Sequence, residues 1–308
     1  MSEPRLAIEI AGVTRRFGAT VAVDRLSLTV ARGEIFALVG PDGAGKTTLI
    51  RLICGALALD EGELRVDDVA VTREPQRVQA AIGYMPQRFS LYPDLSLMEN
   101  LQFYAEIFGV PSRQFASRAG TLLADFALAP FGSRLAGELS GGMKQKLALA
   151  CTLIHSPQTI LLDEPTAGVD PVSRREFWRI LYGINRGGTT LFVSTPYMDE
   201  AERAHRVAFI TEGAILSCGT PEELKRNLRG DVVEVACAER GDARRALRSE
   251  PLVRSVEIFG ETLHALVASA AEAIPRMQQD LLAASIADAK LREIPPSLED
   301  AFVAGLAP

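Results

Sequence analysis

Short apolar runs alternate with segments of helical apolar spacing from the start of the chain to about residue 228. This alternation predicts an α/β architecture with a mainly parallel central sheet. The run at 159–162 is followed at once by Asp163 and Glu164, as expected for a buried central strand that delivers carboxylates to its C-terminal edge. The predicted strands are 35–39, 159–162, 190–194 and 207–211.

Helical signals dominate between about residues 89 and 139. Ser96 and Glu99 form a capping box, and the apolar residues after them recur at helical spacing. The chain therefore predicts a mostly helical insert in the α/β domain. Three apolar residues of the preceding loop lack a periodic partner and predict a docking surface. They are Phe89, Leu91 and Tyr92.

The pattern changes after residue 230, where four strand-like segments alternate with two helical stretches. The order strand-helix-strand-strand-helix-strand predicts a small α+β domain of the ferredoxin-like kind, although Pro275 disfavours a continuous second helix. We expect a nucleotide-binding domain over 1–228 and an accessory domain over 231–308. The four predicted strands are 231–238, 252–259, 262–267 and 289–294.

Composition narrows the classes of function. The chain has 308 residues, a formal net charge of −6 and a pI near 5.3, which argues against nucleic-acid binding through a broad basic surface. No run approaches the roughly 18 apolar residues of a membrane helix, and the start lacks a secretory signal, so we expect a soluble cytosolic protein. The four cysteines form no CxxC pair and are expected to be small buried residues.

A glycine-rich segment directly after the run at 35–39 matches the pattern GxxxxGK[ST]. Its glycines let backbone N–H groups approach phosphates, Lys46 is predicted to reach the β- and γ-phosphates, and Thr47 to bind Mg²⁺. The helix predicted over 46–56 adds a favourable dipole. The chain is therefore predicted to bind ATP with Mg²⁺, through Gly40, Asp42, Gly43, Ala44, Gly45, Lys46, Thr47 and Thr48.

The acidic pair at the end of the predicted central strand suits phosphoryl chemistry. Asp163 is expected to hold Mg²⁺, and Glu164 to polarise the attacking water as general base. Acidic residues also end strands for structural reasons, so the pair gains its meaning from Lys46 and Thr47. Gln87 alone is typical of a solvated loop, and its predicted role is to report the γ-phosphate to the helical insert.

A second anion site is predicted where Ser140, Gly141 and Gly142 precede the helical run at 143–153. Two phosphate-binding helix ends are more than one γ-phosphate requires. Phe17, taken by itself, fits either a core position or a ring that stacks on adenine.

These features together resemble the nucleotide-binding subunit of an ATP-binding cassette transporter over residues 5–228. The matching segments are the signature motif 139–145, the Walker B strand 160–165, the D-loop 167–170, the Q-loop at Gln87 and the adenine-stacking Phe17. The resemblance implies two subunits paired head to tail around ATP. Ser140, Gly141 and Gly142 would then contact nucleotide held by the other subunit. The resemblance also implies that Asp170 of the D-loop binds nucleotide, and that Gln87 joins Thr47 and Asp163 at the metal.

The chain departs from the family at the switch histidine, because Pro196 stands in that position. Proline has no donor and cannot relay a proton. We expect weakened hydrolysis at this chain's own site, with binding retained through Lys46, Thr47 and Asp163. The retention of Glu164 argues against a completely inactive site. We further expect an asymmetric pair with a better-equipped cassette.

The run 296–302 and the form of the phosphate loop resemble the daunorubicin-resistance branch of drug exporters, in particular the first cassette of tandem efflux ATPases. This implies integral membrane subunits docked near residues 89–100, a second cassette, and a location on the inner face of the cell membrane. The alternative is a soluble cassette ATPase that acts on ribosomes or nucleic acid without a membrane partner. The acidic balance, the single cassette and the lack of coiled-coil heptads disfavour it.

Overall fold

The computed structural model describes residues 5–88 and 91–306. The chain divides into two compact units, residues 1–215 and 216–308. In chain order the first unit contains β1 (Leu6–Phe17), β2 (Thr20–Ala31), β3 (Ile35–Val39), α1 (Lys46–Ile53), β4 (Glu61–Val66), β5 (Val69–Ala70), α2 (Pro75–Ala81), β6 (Gly83–Met85), α3 (Leu97–Ile107), α4 (Ser112–Asp125), α5 (Gly141–Leu153), β7 (Thr159–Asp163), α6 (Pro171–Arg186), β8 (Thr190–Thr195), α7 (Met198–Ala201) and β9 (Arg206–Thr211). Strand β10 (Ala214–Gly219) follows.

A six-stranded sheet with the order β10-β9-β3-β8-β7-β6 forms the centre of the first unit. Strand β3 pairs in parallel with β8 and β9, and β7 pairs in parallel with β8 and β6. Every residue of β3, β7 and β8 is buried, as their near-continuous apolar sequences require. Register places Thr195 beside Val39 and Ser194 beside Asp163, so the carboxyl ends of three strands meet at one edge. The predicted parallel sheet is confirmed.

A second sheet in this unit, with the order β2-β1-β4-β5, is antiparallel and was not predicted. Strand β1 carries register shifts between Ile10 and Val13 and again before Arg15. Such bulges interrupt the alternation of apolar and polar positions by which a strand is recognised.

The helical insert contains α3 and α4 with two short 3-10 turns. Helix α3 begins with the predicted capping box, in which the Ser96 hydroxyl accepts from the Glu99 N–H (3.2 Å) and the Glu99 carboxylate accepts from the Ser96 N–H (2.7 Å). Asn100 adds a fully buried polar side chain to its inner face. Of the predicted docking residues, Tyr92 is exposed and Leu91 is half-buried, whereas Phe89 lies outside the described residues.

The second unit continues with α8 (Pro221–Arg226), β11 (Asp231–Ala236), α9 (Arg240–Leu247), β12 (Val253–Phe259), β13 (Thr262–Val267), α10 (Ala270–Ala283), β14 (Lys290–Ile294) and α11 (Leu298–Leu306). From β11 to β14 the order is strand-helix-strand-strand-helix-strand, and the sheet runs β12-β13-β11-β14 with antiparallel pairs. Helix α10 continues through Pro275. The core of the second unit is apolar and includes Val233, Leu263 and Met277.

Two expectations about the whole chain have different outcomes. Within residues 5–88 and 91–306, no helix is long and apolar enough to cross a membrane. The expectation of buried cysteines is correct for Cys54 and Cys151 but wrong for Cys218, which is exposed, and for Cys237, which is half-buried. Cys218 is exposed because it lies on β10, where most residues are only partly covered. Composition does not show where in the fold a cysteine lies, so it could not predict this exposure.

Candidate functional site

The predicted phosphate loop joins the end of β3 to the start of α1. A Cβ atom on Gly40 would lie 2.2 Å from the Ile210 carbonyl oxygen, so only glycine fits there. Gly45 precedes α1 with a φ of 105°, and a Cβ there would lie 2.5 Å from the Ala22 carbonyl oxygen. The loop thus brings the free N–H groups of the first turn of α1 to the sheet edge. Asp42 and Gly43 are exposed, Ala44 is buried, and Thr48 is half-buried on α1.

The side chain of Lys46 is buried and points along the same loop. Its ammonium donates to the carbonyl oxygens of Gly40 (2.8 Å) and Pro41 (3.0 Å). The same nitrogen lies 3.1 Å from the Glu164 carboxylate. A buried cation needs such partners, and their positions keep the charge beside the loop amides where phosphate oxygens are expected.

Thr47, Asp163 and Ser194 form a hydrogen-bonded group at the carboxyl ends of β7 and β8. The Asp163 Oδ1 atom accepts from the Thr47 hydroxyl (3.1 Å) and from the Ser194 hydroxyl (2.7 Å). Asp163 is fully buried, so its orientation is fixed by these two donors. The predicted metal ligands Thr47 and Asp163 therefore lie in direct contact.

The second carboxylate oxygen of Asp163 tests whether this group suits a cation. It is buried and has no hydrogen-bond partner among the described residues. Burial, and then the negative charge of Asp163, raise the pKa of the Tyr84 hydroxyl to about 12. A buried carboxylate oxygen beside a threonine hydroxyl is a fitting donor set for Mg²⁺, which prefers oxygen ligands.

Glu164, the predicted general base, is buried directly after β7. Its backbone adopts a φ of 47°, an uncommon conformation for a residue with a side chain. Its N–H donates to the Ser194 hydroxyl (3.0 Å), and its carboxylate accepts from the Gln87 amide (2.9 Å). The carboxylate thus lies between the Lys46 ammonium and the Gln87 amide, and the structure brings these three predicted residues together.

The signature residues and Asp170 lie at the starts of two helices. Ser140 caps α5 and accepts from the Met143 N–H (3.4 Å), while Asp170 caps α6 and accepts from the N–H groups of residues 172 and 173. Hydrogen bonds from Ser173 lower the pKa of Asp170. A Cβ on Gly142 would lie 2.7 Å from the Ser173 hydroxyl, so this glycine allows the two helix starts to approach. Gly141 is exposed.

Some predicted residues stand apart from the phosphate loop. In the described part of the chain, none of the hydrogen bonds or ion pairs that join Lys46, Asp163 and Glu164 involves Phe17, Ser140 or Asp170. The Phe17 ring is 49% exposed and carries the Arg15 guanidinium 4.9 Å from its centroid. An exposed ring has a face available for stacking.

Sequence reasoning missed four polar residues next to the site, namely Thr166, Ser194, Thr195 and Glu200. All four are essentially fully buried. Ser194 supports the acidic pair, while Thr166 and Thr195 both donate to the Glu200 carboxylate, at 2.5 and 2.7 Å. The available signal was the pair of hydroxyl residues that ends an otherwise apolar strand, β8.

The fold and these contacts define the class of the protein. A parallel sheet, a glycine-rich loop that opens a helix, a lysine, a threonine and an acidic pair at one edge are the parts of a P-loop nucleotide-binding protein.

Comparison with known proteins identifies the family within that class. The profile described as "ABC transporter" matches residues 23–167. The Nod factor export ATP-binding protein I of Paraburkholderia xenovorans is 38% identical over 304 residues, which are 97% of each chain. The daunorubicin resistance ATP-binding protein DrrA3 of Streptomyces coeruleorubidus is 36% identical over 96% of this chain and 95% of its own length. The chain belongs to the ABC transporter family.

A longer relative and a solved structure add detail. The probable multidrug ABC transporter ATP-binding protein YbhF of Escherichia coli is 39% identical over 302 residues, and the chain spans about half (51%) of its length. The ATP-binding cassette MJ0796, solved as a dimer bound to ADP and Pi, has a TM-score of 0.63 at 25% identity. It covers 69% of this chain and 98% of its own. The recognised family and the P-loop cassette fold are thereby confirmed.

Proposed function

We propose that this chain is the ATP-binding and ATP-hydrolysing subunit of an exporter, and that it closes on a second cassette around ATP to drive membrane subunits. The observation that carries the proposal is the joining of Lys46, Thr47, Asp163 and Glu164 at one sheet edge, next to the first turn of α1. Relatives named for Nod factor export and for daunorubicin resistance support the exporter class.

ATP binds through the loop amides of residues 40–48, with the Lys46 ammonium moving onto the β- and γ-phosphates. Thr47 and Asp163 would hold Mg²⁺, and Gln87, whose amide nitrogen donates to Glu164, would offer its amide oxygen as a further ligand. Bound Mg²⁺ would supply neutralisation of the charge on the phosphate oxygens. The exposed Phe17 ring stacks on adenine.

Glu164 polarises the attacking water. Its carboxylate loses the Lys46 ammonium to the phosphates and keeps the Gln87 amide, which leaves one oxygen free to accept a proton. Gln87 in turn connects this event to the helical insert, because it lies between Glu164 and the segment that precedes α3.

The start of α5 and Asp170 serve a second cassette. Ser140, Gly141 and Gly142 present an exposed helix end that lies outside the chain's own phosphate contacts, so we assign it to nucleotide held by the partner. The dimeric state of the cassette MJ0796 and the double length of YbhF both support a paired arrangement. Whether the partner is identical or different, the nucleotide joins the two surfaces.

Membrane subunits dock on the insert near residues 91–100, where Tyr92 is exposed beside the capped start of α3. The chain then works at the inner face of the membrane, and the ferredoxin-like second unit is an accessory domain. Purification of the full chain from its host in detergent, with and without nuclease, tests this. Recovery of a polytopic membrane protein supports the exporter role. Nuclease-sensitive recovery of ribosomes supports the soluble cassette instead and contradicts the exporter role.

Pro196 weakens hydrolysis at this chain's own site. It lies between Thr195 and Tyr197 and has no N–H or side-chain donor for the γ-phosphate. We expect the variant Pro196→His to raise the steady-state ATPase rate of the purified chain by about tenfold or more, in line with the usual gain from one positioned proton-transfer or charge-stabilising group. The matched control is Pro251→His, at an exposed turn position between α9 and β12 in the second unit, which is expected to leave the rate unchanged. Equal rates for Pro196→His and the wild type would contradict an impaired site.

A further inference from the structure

A fully buried carboxylate, Glu200 of α7, lies beside the proposed catalytic residues and has no role in the chemistry described above. Its two oxygens accept one hydroxyl each, from Thr166 (2.5 Å) and from Thr195 (2.7 Å). The Arg174 guanidinium supplies a positive charge 3.5 Å from one of them. Because a buried charge is costly without partners, this set of contacts is strongly constrained.

The contacts join two segments that flank the site. Thr166 is two residues beyond Glu164, in the turn that leads from β7 to α6. Thr195 ends β8 and immediately precedes Pro196, and its hydroxyl also accepts from the Tyr197 N–H (3.1 Å). Glu200 therefore ties the turn after the general base to the backbone on both sides of the switch position.

Two neighbouring hydroxyls on β8 share this task. The Ser194 hydroxyl donates to Asp163 and accepts from the Glu164 N–H. The Thr195 hydroxyl donates to Glu200 and accepts from the Tyr197 N–H. Successive residues of a strand point to opposite faces. Ser194 therefore supports the start of the turn at residues 164–167 from one face of β8, and Thr195 supports its continuation, through Glu200, from the other face.

The turn needs such support. Glu164 holds a φ of 47°, which costs free energy unless the surroundings fix it, and its carbonyl accepts from the Ala167 N–H (3.1 Å). Ser194 holds the first end of the turn, and the Thr166 bond to Glu200 holds the second.

We propose that Glu200 is a positioning residue for hydrolysis, which acts through Thr166 and Thr195 to fix the Glu164 carboxylate relative to position 196. The inference rests on the proposed role of Glu164 as general base. A misplaced base slows the chemical step, whereas nucleotide affinity depends on the phosphate loop and persists.

The test compares Glu200→Gln and Thr166→Val with Asp199→Asn, the same acid-to-amide change one residue away. Asp199 is 66% exposed and lies 3.9 Å from Arg174, so this control removes a surface ion pair with Arg174 but leaves the hydroxyl contacts of Glu200 in place. Thr195→Val removes the second donor if Glu200→Gln fails to fold. Thr166→Ser restores the donor. We expect kcat for ATP to fall by about tenfold or more in Glu200→Gln and Thr166→Val, with the Kd of a fluorescent ATP analogue within about twofold, and recovery in Thr166→Ser. Asp199→Asn should leave both values unchanged.

Hydrogen exchange of the Glu164, Thr166 and Ala167 amides provides a readout that needs no turnover. We expect their exchange to rise by about tenfold in Glu200→Gln and Thr166→Val and to stay constant in Asp199→Asn. Unchanged exchange overturns the inference, as does faster exchange with kcat within about twofold of wild type, or a parallel loss of kcat and affinity. If neither the wild type nor Pro196→His hydrolyses ATP, the proposed function fails, and the exchange result still decides whether Glu200 holds the turn.

Discussion

The two units of this chain treat polar side chains in opposite ways. In the first unit, fully buried polar groups such as Asp163, Ser194 and Glu200 gather at the carboxyl ends of parallel strands. In the second unit the main core cluster is apolar, and charged groups of the sheet such as exposed Arg292 and half-buried Glu234 form ion pairs. The second unit also has buried carboxylates, Glu250 at 9% and Asp300 at 7% exposure, but neither is as completely buried as Asp163 or Glu200.

The difference follows from topology. Parallel strands all end at the same edge, so the last residues of β3, β7 and β8 meet there and can share hydrogen bonds. In an antiparallel sheet neighbouring strands end at opposite edges, so functional groups at strand ends are dispersed. Burying a polar side chain costs free energy unless it is hydrogen-bonded. In the first unit, side chains at the ends of neighbouring strands form hydrogen bonds with one another and offset that cost.

The largest effect on ATP binding is expected from a substitution that fills the space between the phosphate loop and the edge of the parallel sheet. In Gly40→Ala the new methyl group would lie 2.2 Å from the Ile210 carbonyl oxygen of the adjacent strand, so the loop must move away from the sheet. We expect ATP affinity to fall by about two orders of magnitude or more, because the Lys46 ammonium and the loop amides would no longer converge. Titration with a fluorescent ATP analogue measures this.

A matched control is Gly183→Ala in the last turn of α6, where a Cβ meets nothing within 4 Å. This change should leave ATP affinity unchanged and stabilise the helix by about 0.5–1 kcal/mol. A Gly40→Ala chain that binds ATP as well as Gly183→Ala would show that the close approach of the loop to β9 does not govern binding.

Sequence predicted the parts of the site that carry their own pattern. The phosphate loop, the acidic pair and Gln87 were assigned from spacing and resemblance, and the structure brings Lys46, Glu164 and Gln87 into contact. The support around them could not be predicted in this way. Thr166 and Glu200 are 34 residues apart, and an isolated threonine or an acidic residue on a short helix has no spacing that reveals a buried partner.

The fold shows the same division between local and distant information. Buried parallel strands such as β7 read directly as apolar runs, whereas the bulged strand β1 does not. The order of two helices and four strands in the second unit could be predicted because its strands alternate apolar and polar positions. Pro275 argued against a continuous second helix, but α10 continues through it. Proline removes one hydrogen bond, which the rest of a helix of 14 residues can offset when its buried face packs on a sheet.

If the buried polar groups of the first unit serve the nucleotide site, those of the second unit are expected to contribute to stability alone. Asp300 tests this expectation, with a smaller predicted effect. Asp300 accepts from His264 (2.9 Å) and from the N–H and hydroxyl of Ser297, so it ties α11 to β13. Burial raises the pKa of Asp300, but the hydrogen bonds from His264 and Ser297 outweigh it and hold that pKa below its usual value. A carboxylate with a lowered pKa stabilises the fold above its unfolded value, near 3.9, and loses that effect as the pH falls through the folded value.

We therefore expect Asp300→Ala to destabilise β13 by about 1–3 kcal/mol at neutral pH, because it leaves partly buried donors without an acceptor. Native-state hydrogen exchange of β13 amides measures this, and the difference from wild type should shrink below about pH 4. The control Arg292→Ala removes an exposed pair of the same sheet and should cost less than about 0.5 kcal/mol. ATP affinity should be unchanged in both variants. Loss of ATP binding in Asp300→Ala alone would break the comparison, since it would place a buried carboxylate of the second unit in the service of the nucleotide site.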